Sequence, residues 1–226
     1  MWLFNWLTKL SLAYGIDIIK SKGFRKKLKR KEEPIEIVLH ESVTSTWKTA
    51  YKVLNKRKLS VHFTVEKDGV IRQHVDPVKY YTIHAGGKHN KNSVSIEVIN
   101  RYYGKKNRDD VIKTCWAHKK YYILPPLDQC EAVWQLCLWL DVQFESDLLD
   151  WPCTDLYRFK WGRNKPNSHK RGIKAHHRWH HSDGLFIEHY TLMRFRGYKP
   201  KYAYRFTIES AESGNRVTDL PKPQEV

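Results

Sequence analysis

The run Ile35-Glu36-Ile37-Val38-Leu39, between Pro34 and His40, constrains the fold more than any other stretch. It is β-branched and apolar and reads as a buried strand. Ser93-Val94-Ser95-Ile96-Glu97-Val98-Ile99-Asn100 reads the same way. Between the two lies a helix capped by Thr44 or Ser45 and running to about Asn55, with Trp47, Ala50, Tyr51 and Leu54 on one face. A hairpin follows, Val61 to Glu66 and Val70 to Val75, turning at Asp68-Gly69. Pro125-Pro126 then opens a long helix, about Leu127 to Phe144, with Val133, Leu136, Cys137 and Leu140 facing inward. Ile173-Lys174-Ala175-His176 is a last short strand. The expected class is α/β, a single mixed central sheet flanked by helices.

Apolar and aromatic residues make up 41% and 13% of the 226 residues, enough to bury a core. The formal charge of +17 calls for an anionic partner, whether nucleic acid, a membrane surface or an acidic wall polymer. Residues 1–34 form a basic, partly amphipathic segment, expected as a surface arm or a solubilising tail. The globular domain spans 35–197, and 198–226 is expected as a tail. Residues 83–92 and 101–124 read as loops, as does 146–170, which carries Trp151, Tyr157, Phe159 and Trp161 among basic residues. Cys115, Cys130, Cys137 and Cys153 form no CxxC pair and read as free thiols of a reducing compartment. No apolar run is long enough to span a membrane. The opening Met1-Trp2-Leu3-Phe4 lacks the basic flank of a signal peptide, so synthesis in the cytoplasm is expected.

The chemistry concentrates in Ala175-His176-His177-Arg178-Trp179-His180-His181-Ser182-Asp183-Gly184, with four histidines and one carboxylate. Imidazoles and a carboxylate are what a catalytic zinc takes, leaving one position for water. The cluster needs a third ligand from elsewhere. His40 ends one strand and His176 another, and such ends can converge at the edge of a sheet. His40, His176 and Asp183 make a plausible zinc site. His177 is the rival to His176, which is favoured because it follows the small Ala175. His62 lies inside a strand and reads as structural.

These residues, in this order, resemble the zinc-dependent N-acetylmuramoyl-L-alanine amidases, whose fold is shared by phage T7 lysozyme and the peptidoglycan recognition proteins. The resemblance runs from about Glu36 to Phe186. It rests on Ile37-Val38-Leu39-His40, the hairpin Ser60 to Gly69, Ile83-His84-Ala85-Gly86 followed by Asn92-Ser93-Val94-Ser95-Ile96-Glu97, Tyr122-Ile123-Leu124-Pro125-Pro126, and Ala175-His176-His177 with Ser182-Asp183-Gly184. It implies the amidase fold, zinc on His40, His176 and Asp183, Glu97 as the catalytic carboxylate and His181 at the oxyanion. His84 and Asn92 would contact substrate, or His84 would orient a ligand from behind. His180 is left without a role. The implied partner is peptidoglycan and not nucleic acid; with the short chain and no signal peptide, the expected setting is a monomeric phage lysin or virion-associated protein acting on the bacterial wall. The loops 101–124 and 151–171 would line a sugar-peptide groove. Three departures stand out: no proline follows Asp183, the loop from His176 to Asp183 is one residue short, and Val61 stands where the T7 enzyme has a catalytic tyrosine. The competing expectations are a recognition protein without hydrolysis and a basic nucleic-acid-binding protein.

Overall fold

The computed structural model describes residues 16–117, 120–144, 148–149, 161–162, 171–179, 181 and 183–214. The opening residues 1–15, Trp151, Cys153, Tyr157, Phe159, His180, Ser182 and the final residues 215–226 lie outside the described set.

A six-stranded mixed sheet forms the centre. Its strands in chain order are β1 (Ile18–Lys20), β3 (Glu36–Glu41), β4 (Phe63–Val65), β5 (Ile71–Gln73), β7 (Ser93–Val98) and β10 (Gly172–Ala175). In space the order is β1-β5-β4-β7-β3-β10, and among these pairings only β4 with β5 is antiparallel. Two small ribbons complete the strands. β2 (Leu28–Lys29) pairs with β6 (Tyr80–Tyr81), and β8 (Val111–Lys113) pairs with β9 (Tyr121–Ile123). The helices are α1 (Trp47–Lys56), α2 (Gly87–Asn92), α3 (Leu127–Gln143), α4 (Leu185–Phe195) and α5 (Pro200–Ser213).

Side chains alternate across a strand, and here the alternation separates chemistry from core. Ile37 and Leu39, Val94, Ile96 and Val98, Phe63 and Val65, and Ile173 and Ala175 are fully buried in one apolar cluster. α3 packs on this face against β4 and β7, and α4 against β3 and β10. The in-register residues between them, Glu36, Val38 and His40 of β3, Ser93, Ser95 and Glu97 of β7, and Lys174 of β10, point to the other face. That face is buried but polar. Lys174 meets Glu36 at 2.9 Å, and His89 Nδ1 meets the same carboxylate at 2.7 Å.

Four stretches are more ordered than their sequence suggests. The basic segment is no free arm from residue 16 onward: β1 extends the main sheet by pairing with β5, and Phe24 is buried. Arg30, inside a run of lysines, is buried and donates to the carbonyls of Pro77, Lys91 and Ser93 at 2.8, 2.6 and 2.8 Å. Its planar fork donates from three separate nitrogens, Nε, Nη1 and Nη2, and so spans acceptors too far apart for the single nitrogen of an ammonium. Arg30→Ala should therefore cost about 3 kcal/mol, and Arg30→Lys should recover little of it, as read by urea denaturation. Residues 87–92 form helix α2, and 111–123 contain the β8–β9 hairpin. The expected tail after Gly197 is helix α5, with Pro200 in its first turn and Gly214 at its C-cap, packed on α4. Cys115, Cys130 and Cys137 are free thiols, as expected. No described helix is long and apolar enough to cross a membrane.

Candidate active site

β3 delivers His40 at its C-terminal end, with its Cα in register with Glu97 of β7. β10 runs parallel to β3 on its other side and ends at Ala175, so His176 arrives one step beyond, opening a 3-10 turn (His176–Trp179). Two bonds from α4 fix this turn. Glu188 accepts the N–H of Ala175 at 3.1 Å and pairs with buried Arg178 at 2.7 Å. The chain then returns to place Asp183 beside the two histidines.

The return is tightly specified. Asp183 O accepts the His177 N–H at 2.8 Å. Gly184 N donates to Glu41 Oε2 at 2.9 Å. Gly184 has φ +81°, and a Cβ there would fall 2.2 Å from the carbonyl oxygen of Leu39. Glu41 itself is buried under the site and also accepts from Tyr122 Oη and Asn100 Nδ2. Burial raises the Glu41 carboxyl to about 7, against the pull of these three donors.

His40, His176 and Asp183 each offer a ligand atom within 4.8 Å of the others. Asp183 Oδ2 lies 3.2 Å from His176 Nδ1 and 3.5 Å from His40 Nδ1. A tetrahedral zinc with bonds of about 2.0–2.1 Å sets neighbouring ligand atoms about 3.3 Å apart, so the spacing fits the ion. Asp183 Oδ1 is buried with no hydrogen-bond partner, an acceptor left over for a cation. Burial, and next the charge of His176, lower His40 to about 4, so it is neutral and able to ligate at neutral pH. Burial would raise Asp183, but the two imidazoles beside it, His176 and His40, outweigh it and hold the carboxyl well below its usual range. The donor set suits zinc.

His177 does not join the cluster. It is buried on the other side of the turn, edge-on to Trp116 at 6.2 Å. His181 is exposed and stacks on His176 at 4.0 Å between ring centroids. Glu97 is buried, and burial followed by the charges of Asp183 and Glu41 raises it to about 8. A buried carboxylate whose proton is held near neutrality is suited to general acid–base work. His84 has both ring nitrogens engaged, Nδ1 with His40 Nε2 at 2.9 Å and Nε2 with Ser93 Oγ at 2.9 Å. This leaves none for substrate, and of its two expected roles the structure supports orienting His40. Asn92 ends α2 and lines a separate pocket of about 300 Å³ with Lys29, Lys31, Glu32, Tyr81 and Lys91. His62 is structural, bonded to Ser95 Oγ and the Tyr80 carbonyl.

Two groups near the site were not singled out from the sequence. Glu41 follows a histidine at a strand end and reads as a solvated carboxylate; its partner Gly184 is 143 residues away. Half-buried Tyr102 has its phenol raised by burial and then by the charges of Asp183 and Glu41. The sequence offered it only as part of the aromatic stretch expected to line a groove.

Residues 30–152, more than half of the chain, match the Amidase_2 family model, described as N-acetylmuramoyl-L-alanine amidase. The match includes His40, His84 and Glu97 and stops before His176 and Asp183. No curated protein sequence matches significantly. Among solved structures, the endolysin amidase LysCS from Clostridium intestinale is similar at 17% identity, covering 72% of this chain and 82% of its own, with a TM-score of 0.45. The Ph2119 endolysin from a Thermus scotoductus bacteriophage is similar at 14% identity, covering 72% and 86%, with a TM-score of 0.44. The amidase AmiD from E. coli, solved with a muramyl-peptide substrate, gives 18% identity, 54% and 46% coverage and a TM-score of 0.39. At such TM-scores these likenesses carry no weight in the assignment, which rests on the family match. By that match, the chain belongs to the N-acetylmuramoyl-L-alanine amidase family.

Proposed function

We propose that this chain is a zinc-dependent amidase of the phage-lysin type, acting as a monomer on the bacterial wall. It would hydrolyse the amide between the lactyl group of N-acetylmuramic acid and L-alanine. The observation that carries the reading is the convergence of His40, His176 and Asp183, with Asp183 Oδ1 left unpartnered in a buried position, beside a carboxylate held near neutrality. The charge of +17 suits an anionic wall polymer.

His40, His176 and Asp183 would hold the zinc, which supplies Lewis acidity: it lowers the pKa of a water and polarises the scissile carbonyl. Glu97 accepts the proton that the water loses as its oxygen bonds to the carbonyl carbon. His181 donates an N–H to the oxygen that gains charge. As the C–N bond breaks, Glu97 returns its proton to the departing amine. The products are a muramic carboxylate and a stem peptide with a free L-alanine amine. His84 holds His40 in place, and Glu41 holds the Asp183–Gly184 turn.

Digestion of purified peptidoglycan, followed by mass analysis, tests the reading. Stem peptides beginning with L-alanine should appear, vanish with chelator and return with added zinc. Wall binding that survives chelator with no peptide released would point to a recognition protein instead. Cut glycan strands would refute the reaction.

A further inference from the structure

We propose that Ser93 and His84 form a relay that fixes the ring proton of His40 on Nε2 and so presents Nδ1, with its lone pair free, to the metal. The inference deepens the zinc reading and rests on it.

The argument is a count of hydrogens. The Ser93 hydroxyl carries one, and donates it to the carbonyl oxygen of His89 at 2.5 Å. Toward His84 Nε2, 2.9 Å away, Ser93 Oγ can then only accept, so the ring proton of His84 sits on Nε2. A neutral imidazole has one ring proton, which makes His84 Nδ1 an acceptor. His40 Nε2, 2.9 Å from that atom, must therefore donate. The lone pair of His40 is left on Nδ1, and Nδ1 is the atom that lies 3.5 Å from Asp183 Oδ2. The relay thus selects the nitrogen that faces the cluster.

The support is built into the chain around it. Asn90 Oδ1 accepts the N–H groups of His84, Ala85 and Gly86 at 2.9, 2.9 and 3.0 Å, which fixes the loop that carries His84. The His89 carbonyl that takes the Ser93 proton belongs to the same short helix as Asn90. Ser93 is fully buried at the start of β7, on the face that carries Glu97. It is a positioning residue, two hydrogen bonds removed from the ligand atom. A metal-ligating histidine whose other nitrogen is held in this way has its tautomer and its ring orientation set before the ion arrives.

Long-range ¹H–¹⁵N NMR on metal-free protein with ¹⁵N-labelled histidine reads the tautomer directly. His40 and His84 should both appear as the Nε2–H form. An Nδ1–H form of His40 would overturn the relay whether or not the protein binds zinc. Competition with a chromogenic chelator supplies a second readout. Ser93→Ala and His84→Ala should weaken zinc binding by about 10–100-fold. His84→Asn, whose amide oxygen can stand in for Nδ1, should keep most of the affinity. Unchanged affinity in a folded Ser93→Ala protein would also overturn the relay. Should the variants fail to fold, the wild-type spectrum still decides. If the wild type neither binds zinc nor releases stem peptides, the amidase reading falls by itself and the spectrum judges the relay separately.

Discussion

Glu97→Gln is expected to lower stem-peptide release by roughly 10²–10⁴-fold, and at the same time to raise the melting temperature of the metal-free protein at pH 8. The two effects share a cause. Glu97 is buried, and its surroundings raise its pKa from 4.5 to about 8. A carboxyl whose folded pKa lies above its unfolded value contributes most below the unfolded pKa, and that contribution is lost as pH rises through the folded one. Between about pH 4.5 and pH 8 the unfolded chain ionises Glu97 freely while the folded chain resists. The wild type should thus lose stability across this window relative to the variant, and the gap should close toward pH 5. Buried histidines such as His40 and His62 work in the opposite sense, because their lowered pKa values cost stability only as pH falls below the ordinary histidine range. They are common to both proteins, as is Glu41, raised to about 7, so the difference between the two melting curves reports Glu97 together with its coupling to Glu41. Melting by scanning fluorimetry at several pH values, alongside product masses, checks both halves. A variant with full activity would remove Glu97 from the chemistry.

Gly184→Ala should cripple the site without touching a ligand. The left-handed conformation alone costs an alanine about 1–3 kcal/mol. The added methyl would also meet the Leu39 carbonyl at 2.2 Å, and a backbone atom has no rotamer with which to step aside. If residue 184 withdraws, the N–H bond to Glu41 breaks and Asp183 moves with it. If β3 yields instead, His40 moves, since it follows Leu39 directly. Zinc affinity should fall at least tenfold and the melting temperature by several degrees, by chelator competition and scanning fluorimetry. Wild-type values for both would show that the turn tolerates a side chain and is not the fixed hinge of the site.

Much of this architecture was legible in the sequence because it follows short-range rules. β3, the hairpin, β7 and α3 each announce themselves by apolar pattern, and the three residues of the candidate metal cluster lie at strand ends or in the histidine cluster. The rest depends on partners far along the chain. Ile18 to Lys20 becomes an edge strand only because β5 offers it a parallel neighbour, and nothing within the basic segment says so. Arg30 looks like one cation among many until three carbonyls from two other segments close on it. Helix α5 does follow local rules: Pro200 and Gly214 bracket it with ordinary start and stop signals. His84 shows the limit from the other side. The sequence marks it as a candidate, but its orientation toward His40 depends on the Ser93 hydroxyl.

The division of β3 into two faces decides how far a substitution is felt. The metal cluster and the core draw on different residues of one six-residue strand, taken alternately. A change at His40 reaches the cluster while Ile37 and Leu39 keep the helices seated, and the reverse also holds. Glu41 breaks this independence. It grows from the scaffold side, yet its carboxylate holds the turn that presents Asp183, so a substitution at Glu41 alters both scaffold and site in the same step.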